Sequence, residues 1–251
     1  MQQEVIIVGG GMVGLSLALM LAKQNIAVKL LEAIKYPNYD DVNLAPYHSS
    51  FDARNSALSR RTVQIYQELG LWSALQEHAT PIFEVNITEQ GSFGKARLKA
   101  EQEKVESFGQ VIENAWLGRV LLTEVQKQPF IELIDGVQVT QLTQDADMAY
   151  IKASRGEEQL SLQAKLVIAA DGRDSFCRKA LGIGASEHDY DQVAIVTTVQ
   201  TSKPHNHVGF ERFSSLGPLA LLPLPGEYRR SVVWPVKKGT EGEWLGDEND
   251  Q

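Results

Sequence analysis

The sequence predicts an α/β fold, and three short segments of its 251 residues support that prediction. Each begins with an apolar run of the kind that forms a buried parallel strand. The first run leads into closely spaced glycines, the second into an acidic residue, and the third into an Asp-Gly pair. They occupy residues 5–14, 28–32 and 167–178. Strands of this type, alternating with helical segments, predict a parallel sheet with helices packed on it.

The first segment places Gly9, Gly11 and Gly14 directly after the strand Val5–Val8, in the order G-x-G-x-x-G. The first glycine permits a tight turn, the second lets the backbone approach a pyrophosphate, and the third lets the next helix pack closely. We expect that helix over Met12–Lys23, with its N-terminal amides and positive dipole end directed at the pyrophosphate.

Glu32 extends this pattern. A second strand, predicted over residues 27–31, ends at this acid, 18 residues past Gly14. A carboxylate in that position can accept hydrogen bonds from ribose hydroxyls. A glycine-rich turn alone is weak evidence, but strand, glycines, helix, strand and acid occur here in order, which favours a dinucleotide site over a structural turn. The motif by itself does not choose between FAD and NAD.

The third segment carries Asp171, Gly172, Ser175 and Arg178 after an apolar strand. An acid at the carboxyl end of a parallel strand lies on the ligand-facing edge of the sheet, although an isolated Asp-Gly pair is equally typical of a turn. The spacing resembles the Asp-Gly motif of the FAD-dependent aromatic hydroxylases, the p-hydroxybenzoate hydroxylase-like family, at all four fixed positions. That resemblance implies FAD as cofactor, Asp171 and Gly172 at its ribityl or pyrophosphate region, and a role for the segment toward NAD(P)H.

Two arginines are further candidates for cofactor binding. Arg54 lies in residues 51–58, which resemble the Asp-x-Arg-x-x-Ala-Leu segment of the ubiquinone-biosynthesis branch of this family, where the arginine reaches the cofactor. A guanidinium pairs well with phosphate oxygens, but Arg54 could also be a solvated loop residue beside Asp52. Arg119 lies in residues 117–122, which resemble the start of a family helix whose Arg or Gln approaches the flavin. A surface arginine on a helix is an almost equal alternative.

Residues 209–213, 217–224 and 231–234 also resemble strands of the same branch, so that the resemblance covers essentially the whole chain. It implies an FAD-dependent monooxygenase that hydroxylates a polyprenylated phenol of the 2-polyprenyl-6-methoxyphenol type, with NAD(P)H and O2, in ubiquinone biosynthesis. The catalytic residues stay unknown, because the sequence shows no nucleophile, metal cluster or obvious general base.

The expected organisation is a Rossmann-like FAD-binding domain with an inserted, mostly antiparallel β substrate domain. We predict the FAD-binding domain over residues 1–78 and 105–182, and the substrate-domain sheet over residues 79–104 and 183–251, where Glu84–Glu89 alternates like a strand. Family members continue well beyond the point matched by Gln251, so we expect a chain truncated at its C-terminus, with an incomplete substrate sheet and flavin pocket. The acid-rich last eleven residues are expected to fray.

Composition limits the partners and the location. The formal net charge is −8 and no basic stripe is present, which argues against nucleic acid. Cys177 is the single cysteine, so no intrachain disulfide can form, which fits a reducing, cytoplasmic compartment. The apolar substrate is compatible with peripheral contact with the inner face of the membrane. Membership of a protein complex of ubiquinone synthesis is also left open. No metal site is predicted, because His205, His207 and the other histidines lack a ligand-like arrangement.

Two alternatives remain from the sequence. One is another flavin oxidoreductase on the same scaffold, such as a prenyl reductase or a halogenase, although the Trp-x-Trp segment expected of a halogenase is missing. The other is an inactive fragment that acts only by binding partners in the quinone-synthesis assembly.

Overall fold

The computed structural model describes residues 5–36 and 52–244. Within these ranges it contains sixteen strands and five α-helices, with 3-10 turns at Gln76–His78 and Glu241–Glu243. The contacts divide the chain into two compact units. The first comprises the described residues of Met1–Ala53, Leu69–Ala74 and Asn114–Ser186, and the second comprises those of Arg54–Glu68, Leu75–Glu113 and Glu187–Gln251.

The strands are β1 Val5–Val8, β2 Val28–Leu31, β3 Asn55–Ser59, β4 Ala79–Pro81, β5 Glu84–Glu89, β6 Lys95–Lys99, β7 Gly109–Glu113, β8 Ile131–Ile134, β9 Gln138–Gln144, β10 Ala149–Arg155, β11 Glu158–Ala164, β12 Leu166–Ala169, β13 Gln192–Gln200, β14 Val208–Ser214, β15 Gly217–Pro223 and β16 Arg229–Lys237. The helices are α1 Met12–Lys23, α2 Arg60–Glu68, α3 Trp72–Leu75, α4 Asn114–Lys127 and α5 Phe176–Ala180.

A four-stranded parallel sheet, in the order β12-β1-β2-β8, forms the centre of the first unit. Val5 pairs with Val28 on one side and with Leu166 on the other, and the pairing continues without a shift to Val8. All four residues of β1 are buried, as expected of a central parallel strand. Because the strands are parallel and in register, the residues that follow them meet at one edge of the sheet.

The two faces of this sheet are covered by different elements. Helix α1 packs against α4 and the sheet, and its buried side chains are mostly small and aliphatic. The antiparallel sheet β9-β10-β11 shares a hydrophobic cluster with the parallel sheet, in which Ile6 and Leu31 pack with Ile151 and Ala164. Side chains alternate along a strand, so Ile6 and Val8 can serve this cluster while Ile7 faces the other way.

The second unit consists mainly of β-sheets and also contains α2. Six strands pair in the order β13-β16-β15-β14-β5-β6, with a single parallel pair between β14 and β5. A smaller antiparallel sheet has the order β3-β7-β4. Ile82, Val111 and Leu224 form a buried cluster, against which Val85 and Leu222 pack.

The predicted fold class, α/β with a parallel sheet and mostly antiparallel additional sheets, is confirmed. The strand predicted over Glu84–Glu89 and the helix predicted over Met12–Lys23 have those bounds, and β2 begins one residue later than expected. The contact-based units divide the chain at other positions than the predicted domains, whose bounds stay a prediction. The expected fraying falls largely on residues 245–251, outside the described part. No helix among the described residues is long and apolar enough to span a membrane.

Candidate cofactor-binding site

The carboxyl ends of the parallel strands enclose a cleft of about 360 Å³ in the first unit. The Gly9 amide donates to the Leu31 carbonyl at 2.8 Å, and the Ala170 amide donates to the Val8 carbonyl at 2.7 Å, so the loops leave the sheet side by side. The lining consists of Val8, Gly9, Gly11, Leu31, Glu32, Ala33, Val137, Gln138, Val139, Ala170, Asp171, Gly172, Asp174 and Phe176. Five of the eight predicted cofactor-binding residues are in this lining, and a sixth, Gly14, lies in the first turn of α1.

Two of the predicted glycines are required by close backbone packing. Gly9 has a φ of 108°, and a Cβ there would collide with the Ala170 carbonyl. A Cβ at Gly14 would collide with the Gly9 carbonyl oxygen. The backbone after β1 therefore turns sharply and lies directly on α1 and on the loop after β12, which side chains would prevent.

The N-terminus of α1 is open toward a ligand. Gly11 is the N-cap residue, with an extended backbone and no side chain to bond the first amides, and the first turn contains no acid. The first hydrogen bond of the helix runs from the Leu15 amide to the Gly11 carbonyl at 3.0 Å. The preceding amides have no partner inside the helix, and together with the helix dipole they suit a phosphate group.

Glu32 is held in a fixed orientation by two backbone amides. Its side chain is buried, Oε2 accepts the Gly10 amide at 2.5 Å, and Oε1 accepts the Ile34 amide at 2.8 Å. A carboxylate has about four acceptor sites, of which these two amides use two. The carboxylate can therefore take a ribose hydroxyl while it continues to hold the glycine turn.

Asp171 lines the cleft and also organises the start of α5. Burial alone would raise the pKa of Asp171, but hydrogen bonds from the Cys177 amide and the Ser175 hydroxyl outweigh burial and lower it. Those bonds measure 3.0 Å to Oδ2 and 2.5 Å to Oδ1. Ser175 in turn accepts the Arg178 amide at 2.9 Å as the N-cap of the helix. The Asp171 carboxylate is therefore bonded to residues of its own segment. Gly172, which is exposed and has a φ of 80°, lies beside it in the lining of the cleft.

The two arginines do not line this cleft. Arg119 lies on α4 in the same unit, with its guanidinium carbon 5.7 Å from the centroid of the Trp116 ring. Arg54 is an exposed residue directly before β3 and belongs to the second unit. Contact of Arg54 or Arg119 with the cofactor stays a prediction.

Several residues at this edge were missed by sequence reasoning. Tyr36 donates a hydrogen bond from its hydroxyl to the Gly10 carbonyl. Val137 and Val139 line the cleft from the start of β9. One signal was available, because the mostly apolar stretch Ile131–Ile134 is followed by an Asp-Gly pair, as the apolar stretch before Asp171 is. Nothing comparable marks Tyr36.

The histidine pair lies in the second unit. His205 is buried, its Nδ1 accepts the His207 amide at 3.0 Å, and its Nε2 lies 3.1 Å from the Leu224 carbonyl. These contacts tie a loop to the sheet. Within the described ranges, no group of three or more His, Cys, Asp or Glu side chains could hold a metal ion.

Comparison with known families identifies the cofactor. The sequence family described as FAD binding domain matches residues 2–250. The chain belongs to this FAD-binding-domain family. The confirmed cofactor is therefore FAD, and the cleft suits it, since its glycines allow a tight turn packed closely on α1 and its helix N-terminus can receive a pyrophosphate.

Two curated relatives of this chain are named as hydroxylases of ubiquinone or demethoxyubiquinol. The chain is 33% identical over 231 residues to ubiquinone hydroxylase UbiL of Rhodospirillum rubrum, a match that covers 92% of this chain and 51% of UbiL. It is 31% identical over 233 residues to 3-demethoxyubiquinol 3-hydroxylase of Escherichia coli, covering 92% and 56%. The chain spans about half the length of the curated relatives it matches.

A solved structure with the same fold is p-nitrophenol 4-monooxygenase PnpA from Pseudomonas putida DLL-E4. It superposes with a TM-score of 0.76 at 19% identity, over 97% of this chain and 60% of PnpA. At that identity the likeness concerns the fold alone, and the fold includes both the parallel sheet and the antiparallel sheets of this chain.

Proposed function

We propose that this chain supplies the FAD-binding site of a monooxygenase that hydroxylates a polyprenylated phenol, with NAD(P)H and O2, in ubiquinone biosynthesis. The observation that carries the proposal is the cleft with its glycine cradle and the buried Glu32, in a chain similar to two enzymes named as hydroxylases of ubiquinone or its precursor. The substrate we favour is of the 2-polyprenyl-6-methoxyphenol type, because the strand residues 209–213 and 217–224 resemble those of 2-octaprenyl-6-methoxyphenol hydroxylase.

The residues of the cleft are proposed to bind different parts of FAD. The amides at the start of α1 bind the pyrophosphate, while Gly9 permits the tight turn and Gly14 the close packing of α1 that place them. Glu32 accepts a hydrogen bond from a ribose hydroxyl. Asp171 holds the turn that brings Gly172 to the cleft, and we propose that this turn contacts the ribityl or pyrophosphate region.

FAD, when bound and reduced by NAD(P)H, supplies the chemistry that activates dioxygen. The contribution of the protein is then to orient the cofactor and the phenol and to keep water away. Arg54 and Arg119 are proposed to approach the cofactor as cations, which suits phosphate oxygens. The catalytic residues stay unidentified. A cytoplasmic location, contact with the inner face of the membrane and a complex of ubiquinone synthesis stay predictions.

The first test is binding of FAD by the purified chain. FAD is titrated while the tryptophan fluorescence is followed, and the visible spectrum is recorded after removal of free cofactor. Saturable quenching and the bands of oxidised flavin are expected. A chain that shows neither would overturn the proposal that this chain supplies a working FAD site.

The second test concerns the reaction. The FAD-loaded chain is incubated with NADH or NADPH, isotopically labelled dioxygen and a 2-polyprenylphenol or its 6-methoxy derivative. Mass spectrometry should detect a product that has gained one labelled oxygen atom, in amounts matched to NAD(P)H oxidation. Oxidation of NAD(P)H without any hydroxylated phenol would favour another flavin oxidoreductase. Binding of FAD without oxidation of NAD(P)H would favour a non-catalytic role.

A further inference from the structure

Both backbone polar groups of Gly10 are bonded by side chains that follow β2. The Gly10 amide donates to Glu32 Oε2 at 2.5 Å, and the Gly10 carbonyl accepts a hydrogen bond from the Tyr36 hydroxyl. The Tyr36 side chain is 6% exposed and that of Glu32 is 7% exposed, so both bonds are shielded from water. Gly10 itself is a position that the glycine motif leaves unspecified.

The position of Tyr36 is fixed from the next strand. Its amide donates to Asp135 Oδ2 at 2.8 Å, directly after β8. The segment between is also tied to this strand end, because the Glu32 amide donates to the Ile134 carbonyl at 3.0 Å and the Val137 amide donates to the Glu32 carbonyl at 2.9 Å. The Tyr36 hydroxyl is thus carried by backbone anchored to the sheet.

A side chain at Gly10 would require Tyr36 to move. A Cβ at Gly10 would collide with the Tyr36 hydroxyl and would lie 3.0 Å from the Glu32 Cβ. Tyr36 therefore occupies the space that a side chain at position 10 would need.

Three consecutive glycines, residues 9–11, form the turn beneath the expected pyrophosphate. Glycine has the largest conformational freedom of all residues, and a turn that is ordered only on binding lowers affinity. An external restraint on the middle residue would remove much of that cost.

We propose that Tyr36 is a positioning residue for FAD, whose hydroxyl holds the Gly10 carbonyl and so pre-orders the turn that receives the pyrophosphate. This inference rests on the proposed FAD site and assigns a part of its affinity to a residue outside the glycine motif and outside the lining of the cleft. Tyr36 acts through Gly10 and does not itself contact the cofactor.

The test compares Tyr36→Phe with Tyr150→Phe. Tyr150 lies on β10 of the same unit, and its hydroxyl likewise donates a hydrogen bond, to Asp145 Oδ2 at 2.8 Å, outside the cleft. The dissociation constant for FAD should rise about tenfold in Tyr36→Phe, since a buried carbonyl loses its donor, and should change less than about twofold in Tyr150→Phe. In the FAD-free chain, amide hydrogen exchange at residues 10 and 11 should be faster in Tyr36→Phe only.

A second pair of variants tests the contact directly. Gly10→Ala should weaken FAD binding strongly in the wild-type background, and its additional effect should be smaller in the Tyr36→Phe background, where the colliding hydroxyl is gone. Residues in contact give such non-additive effects.

Three results separate the possibilities. Unchanged FAD affinity in Tyr36→Phe would overturn the inference, even if the thermal midpoint of the FAD-free chain fell, because Tyr36 would then be only structural. Strictly additive effects of Gly10→Ala and Tyr36→Phe would also overturn it. Absence of FAD binding by the wild-type chain would instead overturn the proposed function on which the inference rests.

Discussion

The Gly10 amide and Glu32 Oε2 are joined by a hydrogen bond of 2.5 Å, which links the turn after β1 to the end of β2. The other oxygen of the same carboxylate accepts the Ile34 amide at 2.8 Å. A carboxylate accepts at both oxygens, whereas a carboxamide accepts at one and donates at the other. Glu32 is therefore expected to be the acid whose charge and geometry matter most to the cleft.

Glu32→Gln should raise the dissociation constant for FAD by about tenfold or more. One of the two oxygens that accept the Gly10 and Ile34 amides is replaced by a donor, and the ribose hydroxyl loses a carboxylate partner. The measurement is the FAD titration followed by tryptophan fluorescence.

The matched control for that prediction is Glu132→Gln. Glu132 lies on β8 of the same unit, is half-exposed and pairs with Lys29 at 3.0 Å, away from the lining of the cleft. A surface ion pair of this kind contributes at most about 1 kcal/mol. Equal effects of the two substitutions on FAD affinity would contradict the role given to Glu32.

Gly14→Ala should destabilise the folded chain even without FAD. The new Cβ would collide with the Gly9 carbonyl oxygen, and backbone cannot move aside as a side chain can. We expect the free energy of unfolding in urea to fall by about 3 kcal/mol, at the upper end of overpacking effects. Gly184→Ala is the control, because a Cβ at Gly184 meets nothing within 4 Å. An unfolding free energy for Gly14→Ala equal to that of Gly184→Ala would show that the turn relaxes freely.

The parallel sheet could be predicted because its signals are local. Val5–Val8 is apolar on both faces, its glycines follow at once, and the paired strands end in Glu32 and in the Asp171 segment. A buried strand, a tight turn and a helix start each depend on neighbouring residues in the chain, so a short stretch of sequence contains the information.

The rest of the site depends on pairs that are distant in sequence. Tyr36 bonds to Gly10 across 26 residues and to Asp135 across 99, and no periodicity or motif specifies such a pair. The role of Asp171 was only half visible, because its spacing suggested cofactor contact while its carboxylate is bonded to Ser175 and Cys177. For Arg54 and Arg119, only the resemblance of their segments to those of the family supports the prediction.

Stability should depend on pH through His205. Burial of the ring lowers the pKa of His205 below its usual 6.5, and the charges of His207 and Arg230 lower it further, against the effect of the Leu224 carbonyl. The neutral ring has one donor and one acceptor, which fits the Leu224 carbonyl and the His207 amide. A lowered pKa in the folded state gives stability that is present above the usual pKa and lost as the pH falls through the folded pKa.

The free energy of unfolding should therefore fall between about pH 7.5 and about pH 5.5, a window chosen around the usual histidine pKa, and His205→Gln should reduce that fall. The control is His188→Gln, since His188 is exposed. For each variant, the free energy of unfolding at the lower pH is subtracted from that at the higher pH. A loss of stability that is the same at both pH values then cancels. If the free energy of unfolding of His205→Gln changed with pH as steeply as that of the wild type, the pH dependence would arise from other groups.

Cys177 should be nearly inert toward thiol reagents in the folded chain. Burial raises the pKa of its thiol to about 12, with the charge of Asp171 acting in the same direction. At about pH 8 only about one thiol in ten thousand would then be ionised, and the thiolate is the reactive form. The reaction with a disulfide reagent should be slow until guanidinium unfolds the chain, and Cys177 is the single cysteine, so the signal is unambiguous.

The cap of α5 should control this reactivity. Ser175→Ala removes the acceptor of the Arg178 amide and the donor to Asp171, which loosens the helix start that shields Cys177. Loss of such a cap costs about 1 kcal/mol, so local opening and labelling should be about fivefold faster. Ser92→Ala is the control, because the exposed Ser92 also donates to a carboxylate, Glu89 Oε2 at 2.7 Å, but in the second unit. Labelling of Ser175→Ala at the wild-type rate would mean that Cys177 reacts only through global unfolding, and that the Asp171 turn does not open by itself.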